Sequence, residues 1–282
     1  MDYPIVTADG LKLHVQHWPA SDPARGTVLI VHGLGEHIGR YAALAGRLNA
    51  WGWHAVGHDQ RGHGRSDGAR GALARRDALL QDLALVVDAV RAGLPSPVVL
   101  LGHSLGGLVA ARFVAGGTEP NTRDAPWFRE VDALVLSSPA FDPGMSATQK
   151  LLLAVLGALA PNVAVNNGLR PEWISRDAAI VDAYKADALV HERVTPRLVR
   201  FIVDGAALVA ERAGAWRVPT LLMWAGADRC VAPAGSRDFA VAAPRVLVQS
   251  QEFNICYHEI FNEPEKEEVF ALLERWLAVR AH

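Results

Sequence analysis

The chain has 282 residues, half of them hydrophobic, with 28 Lys and Arg against 30 Asp and Glu for a formal net charge of -2. That length suits one large α/β domain or two small ones, and the hydrophobic fraction excludes a disordered chain. A near-neutral balance without a Lys/Arg run excludes nucleic acid as the main partner, and two cysteines are too few for a disulfide framework, so two free thiols are expected.

From the N-terminus, "MDYPIVTADG" has neither a basic n-region nor an apolar h-region, and reads as lacking a secretory signal. "LKLHVQHW" (11–18) alternates apolar and polar residues as a half-exposed strand does. "TVLIVHG" (27–33), "HAVGHD" (54–59), "VVLLGHS" (98–104), "ALVLSSP" (133–139), "TLLMWAG" (220–226) and "VLVQS" (246–250) are short apolar runs bounded by turn residues. They predict strands buried on both faces of a parallel sheet. Between them, "DALLQDLALVVDAVRAG" (77–93) sets Leu79, Leu80, Leu83, Val86, Val87 and Val90 at helical spacing, with Gly93 and Pro95 as stops.

Residues 140–212 break this alternation with helical patterns and no convincing strand. Ser146-x-x-Gln149 reads as a capping box for a helix through 160, stopped by Pro161. That helix, "LLLAVLGALA" over 151–160, is apolar all round and too short to cross a bilayer. Its expected uses are burial, a greasy pocket wall or contact with a membrane surface. The terminal "EKEEVFALLERWLAVRAH" is an amphipathic helix with acids first and arginines late. The expected architecture is α/β: a mostly parallel central sheet flanked by helices, its core formed by 1–139 and 213–282, with 140–212 inserted as a helical cap. The expected location is cytoplasmic, with peripheral membrane contact through the cap.

In such sheets the functional crevice lies beyond the carboxyl ends of the strands, where "IVHG", "GHD", "GHS", "SSP" and "AGAD" all fall. Gly102-His103-Ser104-Leu105-Gly106 satisfies G-x-S-x-G between a strand and a helix, the context of a nucleophile elbow. The plainer alternative is a glycine-rich crossover with a bystander serine. A serine needs a base, and the partners in such a fold follow in the order Ser, Asp/Glu, His. Of His191, His258 and His282, only His258 falls in a loop after a strand and before the last helix. Asp228 ends the run "TLLMWAGAD", whereas Asp204 and Asp238 sit in helical surroundings. The oxyanion donors expected are the backbone N–H groups of Leu105 and Leu34. No Walker lysine, Rossmann fingerprint or metal-ligand spacing appears, so neither cofactor nor metal is expected.

"HGLGEHIGRY" (32–41), "DQRGHGRSDG" (59–68), "GHSLGG" (102–107), "SSPAF" (137–141), "GADRCVAP" (226–233) and "YHEIFNE" (257–263) together resemble the α/β-hydrolase superfamily. The nearer resemblance is to its monoacylglycerol lipase and lysophospholipase-like branch, the serine aminopeptidase-type hydrolases. It implies cleavage of carboxylic esters, above all long-chain acylglycerols, by Ser104, Asp228 and His258, with Leu34 and Leu105 at the oxyanion. It also implies that Glu36 and Arg40 hold the glycerol end of the substrate. Mammalian-type members have a second histidine three residues after the catalytic one, where this chain has Phe261. Leu152 and Leu156, with Leu151, Val155 and Leu159, would line an acyl channel, rest on membrane or pack the core. A short-chain or aryl esterase, a lysophospholipase and a ligand-binding protein that keeps the site remain alternatives.

Overall fold

A computed structural model describes residues 4–118, 125–145, 148–149, 153, 156–157 and 159–280. Its strands in chain order are β1 (Ile5–Val6), β2 (Lys12–Leu13), β3 (Val15–Trp18), β4 (Gly26–Val31), β5 (Trp53–His58), β6 (Val98–His103), β7 (Ala133–Ser137), β8 (Val165–Asn166), β9 (Arg193–Val194), β10 (Thr220–Ala225) and β11 (Val248–Phe253). Seven of them make one sheet in the order β11-β10-β7-β6-β4-β5-β3, parallel throughout except for β3. Strands β4, β5, β6, β7 and β10 are buried along their whole length, as their unbroken apolar runs require.

Helices cover both faces. On one face α2 (Ala78–Gly93), α3 (Leu105–Ala115) and α5 (Pro196–Arg212) bury Leu83, Leu108 and Phe201 in one cluster. On the other, α1 (Ala42–Ala50) and α7 (Lys266–Ala278) bury Leu48 and Leu273. Two further helices are α4 (Ala178–Ala186) and α6 (Pro233–Ala242).

Two expected strands differ in detail. Residues 11–18 divide, with Lys12–Leu13 pairing Ile5–Val6 in a separate ribbon while Val15–Trp18 joins the sheet edge. The last strand runs over 248–253, because an edge strand tolerates the polar "QSQE" that periodicity cannot mark as sheet. The 140–212 stretch contains the small β8–β9 ribbon as well as helices. Its end, α5, packs directly on the core, with a Cβ at Gly205 lying 3.6 Å from Leu108.

Within the apolar cap helix, 148–149, 153, 156–157 and 159 are helical. Of these, Leu153 is buried and Leu159 is 80% exposed. Ser146, Leu151, Leu152 and Val155 lie outside the described residues. Among the described residues, no helix is long and apolar enough to cross a membrane.

The register aligns the strand ends. Val31 of β4 stands opposite Gly102 of β6, and His103 stands opposite Ser137 of β7. The chain therefore leaves the sheet at neighbouring strand ends, and the 140–212 stretch is tied to the loops near them through Glu259 N–H to Ile174 O (2.8 Å) and His191 N–H to Gly35 O (2.8 Å).

Candidate active site

Ser104 occupies the single residue between β6 and α3, with φ 53° and ψ -120°. A non-glycine residue at positive φ costs about 1–3 kcal/mol and persists only when its surroundings force it. Here Ser104 N–H donates to Ser137 O (3.0 Å), and Ser104 O accepts from Ala140 N–H (3.0 Å) and Leu108 N–H (3.1 Å). The flanking glycines are steric necessities. A Cβ at Gly106 would lie 2.1 Å from Val31 O, and one at Gly102 would lie 2.5 Å from Gly106 O. The turn closes only because both side chains are missing, which exposes the serine at the head of α3.

Asp228 follows β10 through the turn at Gly226, and His258 lies in the loop between β11 and α7. His258 Nδ1 and Asp228 Oδ2 are 2.7 Å apart. Asp228 Oδ1 accepts from Cys230 N–H (2.8 Å) and Val231 N–H (3.1 Å), so three donors fix the carboxylate. With Nδ1 donating to Asp228, Nε2 is the basic nitrogen of His258. Burial draws the His258 pKa down, but the charge and hydrogen bond of Asp228, aided by Glu259 and Glu36, outweigh it and raise the pKa above its ordinary value.

A second histidine stands beside it. His103 packs on His258 with ring centroids 4.7 Å apart, and its Nδ1 lies 3.1 Å from Ser137 O. Burial first, then the charge of His258, brings its pKa down to about 4. The two rings are tilted at 53° to each other, and their pKa values are pushed in opposite directions, His103 down and His258 up.

Leu105 opens α3, which puts its N–H at the helix N-terminus. Leu34 follows β4 in a loop that presses on the serine, since a Cβ at Gly33 would lie 3.1 Å from Ser104 Cβ. His32 holds that loop to the next one: its Nδ1 lies 2.8 Å from Gly33 O, and its Nε2 accepts from Gln60 N–H at 2.9 Å.

Glu36 and Arg40 are close to all this and fully engaged with protein. Glu36 Oε1 accepts from Gly33 N–H (2.6 Å) and Tyr41 Oη–H (2.7 Å). Arg40 donates Nη1 to Glu36 Oε2 (2.5 Å) and Glu259 Oε1 (2.7 Å), and Nη2 to Glu259 Oε2 (2.8 Å). Sequence reasoning did not single out Glu259. An acid directly after the candidate base was the available signal, but its partner Arg40 is 219 residues away.

Leu34, Ser104 and His258 line one pocket, together with Leu169, Ile174 and Tyr184 of the 140–212 stretch. Glu36 and Arg40 are on its wall as well. Leu156 is half-buried and is not among the described residues lining that pocket. Both cysteines are free thiols. Cys230 is on the pocket wall with its pKa raised by burial and by Asp228, and burial pushes Cys256 up to about 12, so neither is a ready thiolate.

Among the described residues, two groups of side chains have metal-donor chemistry and metal-like spacing: Asp228, Cys230, His258, and Cys256, Glu263, Glu265. Both are committed elsewhere. Asp228 is saturated as described, and Glu263 accepts from Ser175 Oγ–H, Arg176 N–H, Arg176 Nε–H and Tyr257 N–H. What the pocket offers is a hydroxyl, a buried imidazole with a fixed carboxylate, and a helix N-terminus, the parts list of acyl transfer.

Comparison with known proteins agrees in kind. The family model described as serine aminopeptidase, S33 matches residues 22–265. The chain is 35% identical over 273 residues to a monoacylglycerol lipase of Mycolicibacterium smegmatis, covering 95% of this chain and 93% of that one. It is 31% identical to the phospholipase YtpA of Bacillus subtilis, covering 90% and 95%. The crystal structure of Paleococcus ferrophilus monoacylglycerol lipase superposes with a TM-score of 0.83 at 32% identity, over 95% of this chain and 99% of that one.

Proposed function

The chain belongs to the serine aminopeptidase, S33 family, with the α/β-hydrolase fold, and on that premise we propose that it cleaves carboxylic esters through an acyl-enzyme intermediate. We assign monoacylglycerol-type lipid esters as its substrates, the class named for its relatives at 35% and 32% identity. The observation that carries the mechanism is the 2.7 Å contact of His258 with Asp228, in the pocket whose floor presents Ser104 at positive φ.

In this reading Ser104 Oγ attacks the ester carbonyl carbon and His258 Nε2 accepts the hydroxyl proton. Asp228 holds the imidazole in that tautomer and stabilises its charged form. The carbonyl oxygen becomes an oxyanion and takes the N–H groups of Leu34 and Leu105, each such donor being worth about 10²–10³ in rate. His258 then gives its proton to the departing alkoxide. A water repeats the sequence on the acyl-serine, releasing the acid and restoring Ser104.

Leu159, with Val163 (58% exposed), gives the cap an outward apolar edge that suits contact with the lipid surface from which such substrates are drawn. Release of fatty acid from a monoacylglycerol chain-length series, wild type beside Ser104→Ala, tests the proposal. Repeated turnover of long chains that vanishes in the variant is expected. Turnover confined to aryl or short esters would refute the lipid assignment, turnover confined to lysophospholipids would replace it with a lysophospholipase reading, and no turnover of any ester would refute the whole.

A further inference from the structure

The Arg40 cluster is unusual in its charge. One guanidinium, its side chain 11% exposed, serves two carboxylates whose side chains are 5% and 7% exposed. The group therefore keeps one net negative charge where water hardly reaches, and a buried excess charge is expensive to maintain. Each carboxylate also sits on a loop that ester cleavage needs. Glu36 grips Gly33 N–H, one residue before Leu34, and Glu259 is covalently next to His258.

The cap joins the same point. Glu259 N–H donates to Ile174 O at 2.8 Å, the Tyr184 ring lies under the Arg40 guanidinium at 4.8 Å, and Asn262 Nδ2–H donates to Glu259 Oε2 at 2.8 Å. The two-point contact between Arg40 and Glu259 fixes orientation as well as distance, since the planar fork accepts only one approach of the carboxylate.

We infer that Glu259 is a positioning residue: through Arg40 and Glu36 it locks the loop carrying His258 to the loop carrying the Leu34 N–H. The inference rests on the proposed role of His258 as base. The excess negative charge also favours the protonated state His258 passes through at each half-reaction. The groups facing His258 are Asp228, Glu259 and Glu36 as anions, Arg40 between the two glutamates, the neutral Cys230 thiol, and His103, which stays neutral until about pH 4.

The test uses the full chain and a small soluble aryl ester, with Glu259→Gln, Glu259→Asp, Glu36→Gln and the Glu36→Gln/Glu259→Gln double variant. Glu259→Gln is expected to lower kcat by about ten- to hundredfold, the range for a misplaced catalytic group, with KM little changed. Removing that anion lowers the His258 pKa, so the acid limb of the kcat/KM profile moves to lower pH. Glu259→Asp keeps the charge but not the reach, so its limb stays in place while kcat falls. The double variant is expected to lose less than the product of the single losses, because both act through one network.

A role confined to stability would lower the melting temperature while leaving the acid limb in place, and that result overturns the inference, as do independent single effects. If Glu259→Gln does not fold, an unchanged kcat in Glu259→Asp overturns it equally. Ser104→Ala measured alongside separates the two levels: residual turnover there removes the base assignment itself, whereas a dead Ser104→Ala with an unmoved Glu259→Gln profile removes this inference alone.

Discussion

Replacing Asp228 by Asn tests how the imidazole is held. Asp228 uses Oδ1 for two backbone donors, Cys230 N–H and Val231 N–H, and Oδ2 for His258 Nδ1. An Asn side chain must keep its oxygen on the two N–H groups, because the opposite flip would set NH₂ against both. The amide NH₂ then faces His258 Nδ1, which has to accept instead of donate. The ring proton moves to Nε2, and the nitrogen proposed to receive the Ser104 proton is already occupied. The same tautomer inversion in a serine hydrolase triad costs about 10⁴ in kcat, equivalent to about 5 kcal/mol of transition-state stabilisation. Geometry, volume and two of the three hydrogen bonds survive, so fold and KM should persist. Steady-state kinetics on a soluble aryl ester, with a circular dichroism melt as the folding control, measures this. A well-folded Asp228→Asn within tenfold of wild-type kcat would refute the reasoning.

Gly106→Ala drives a Cβ to 2.1 Å from Val31 O, a backbone atom that cannot swing aside, so a loss of about 3 kcal/mol or more is expected in a denaturant titration. A loss below about 1 kcal/mol would contradict it. Asp82→Ala removes the two hydrogen bonds at 2.6 and 2.8 Å to Arg61, whose side chain is 4% exposed, while Asp9 still pairs with the guanidinium at 2.9 and 3.1 Å, so a loss of about 1.5–3 kcal/mol is expected in the same titration. Acid should also destabilise the fold through its buried histidines. Burial brings His58 down to about 3, and His103 and the half-buried His191 down to about 4, below the 6.5 of an unfolded chain. The unfolded state therefore takes up protons that the native state refuses, and stability present above pH 6.5 is lost as pH falls toward 4. The slope is at most about 1.4 kcal/mol per pH unit for each such group. His258, with its raised pKa, works in the opposite sense. Urea midpoints measured from pH 7 to 4 should fall, and a flat profile would contradict the burial argument.

Much of this arrangement is legible in the chain because its causes are local. Gly102 and Gly106 flank Ser104 at the spacing that backbone contacts at 2.5 and 2.1 Å demand, so a pattern of residue types carries a three-dimensional constraint. The central strands announce themselves because burial on both faces leaves no polar position in "VLIV" (28–31) or "VVLLG" (98–102). At the sheet edge that pressure is relieved, and β11 continues through Gln249, Ser250 and Gln251 where an apolar run has already ended. Helix α5 has periodicity enough to be recognised, but nothing along the chain says that its apolar side rests on α3.

The same limit governs the site. Asp228 and His258 follow Ser104 in an order that a known fold makes meaningful, whereas Glu259 matters only through Arg40, 219 residues earlier. His103 has the composition of a filler between Gly102 and Ser104, and its tilted ring contact with His258 exists only once two strands have brought their ends together.

The most direct test of the central claim is to trap the acyl-transfer centre itself. The full chain is treated with a fluorophosphonate, which phosphonylates activated serines, and the intact mass and the peptide carrying Ser104 are then read by mass spectrometry. The account predicts a single adduct per chain, located on Ser104, blocked by prior incubation with a monoacylglycerol and absent in Ser104→Ala and in His258→Ala. An adduct elsewhere, or equal labelling in His258→Ala, would mean that Ser104 is not the serine this fold activates.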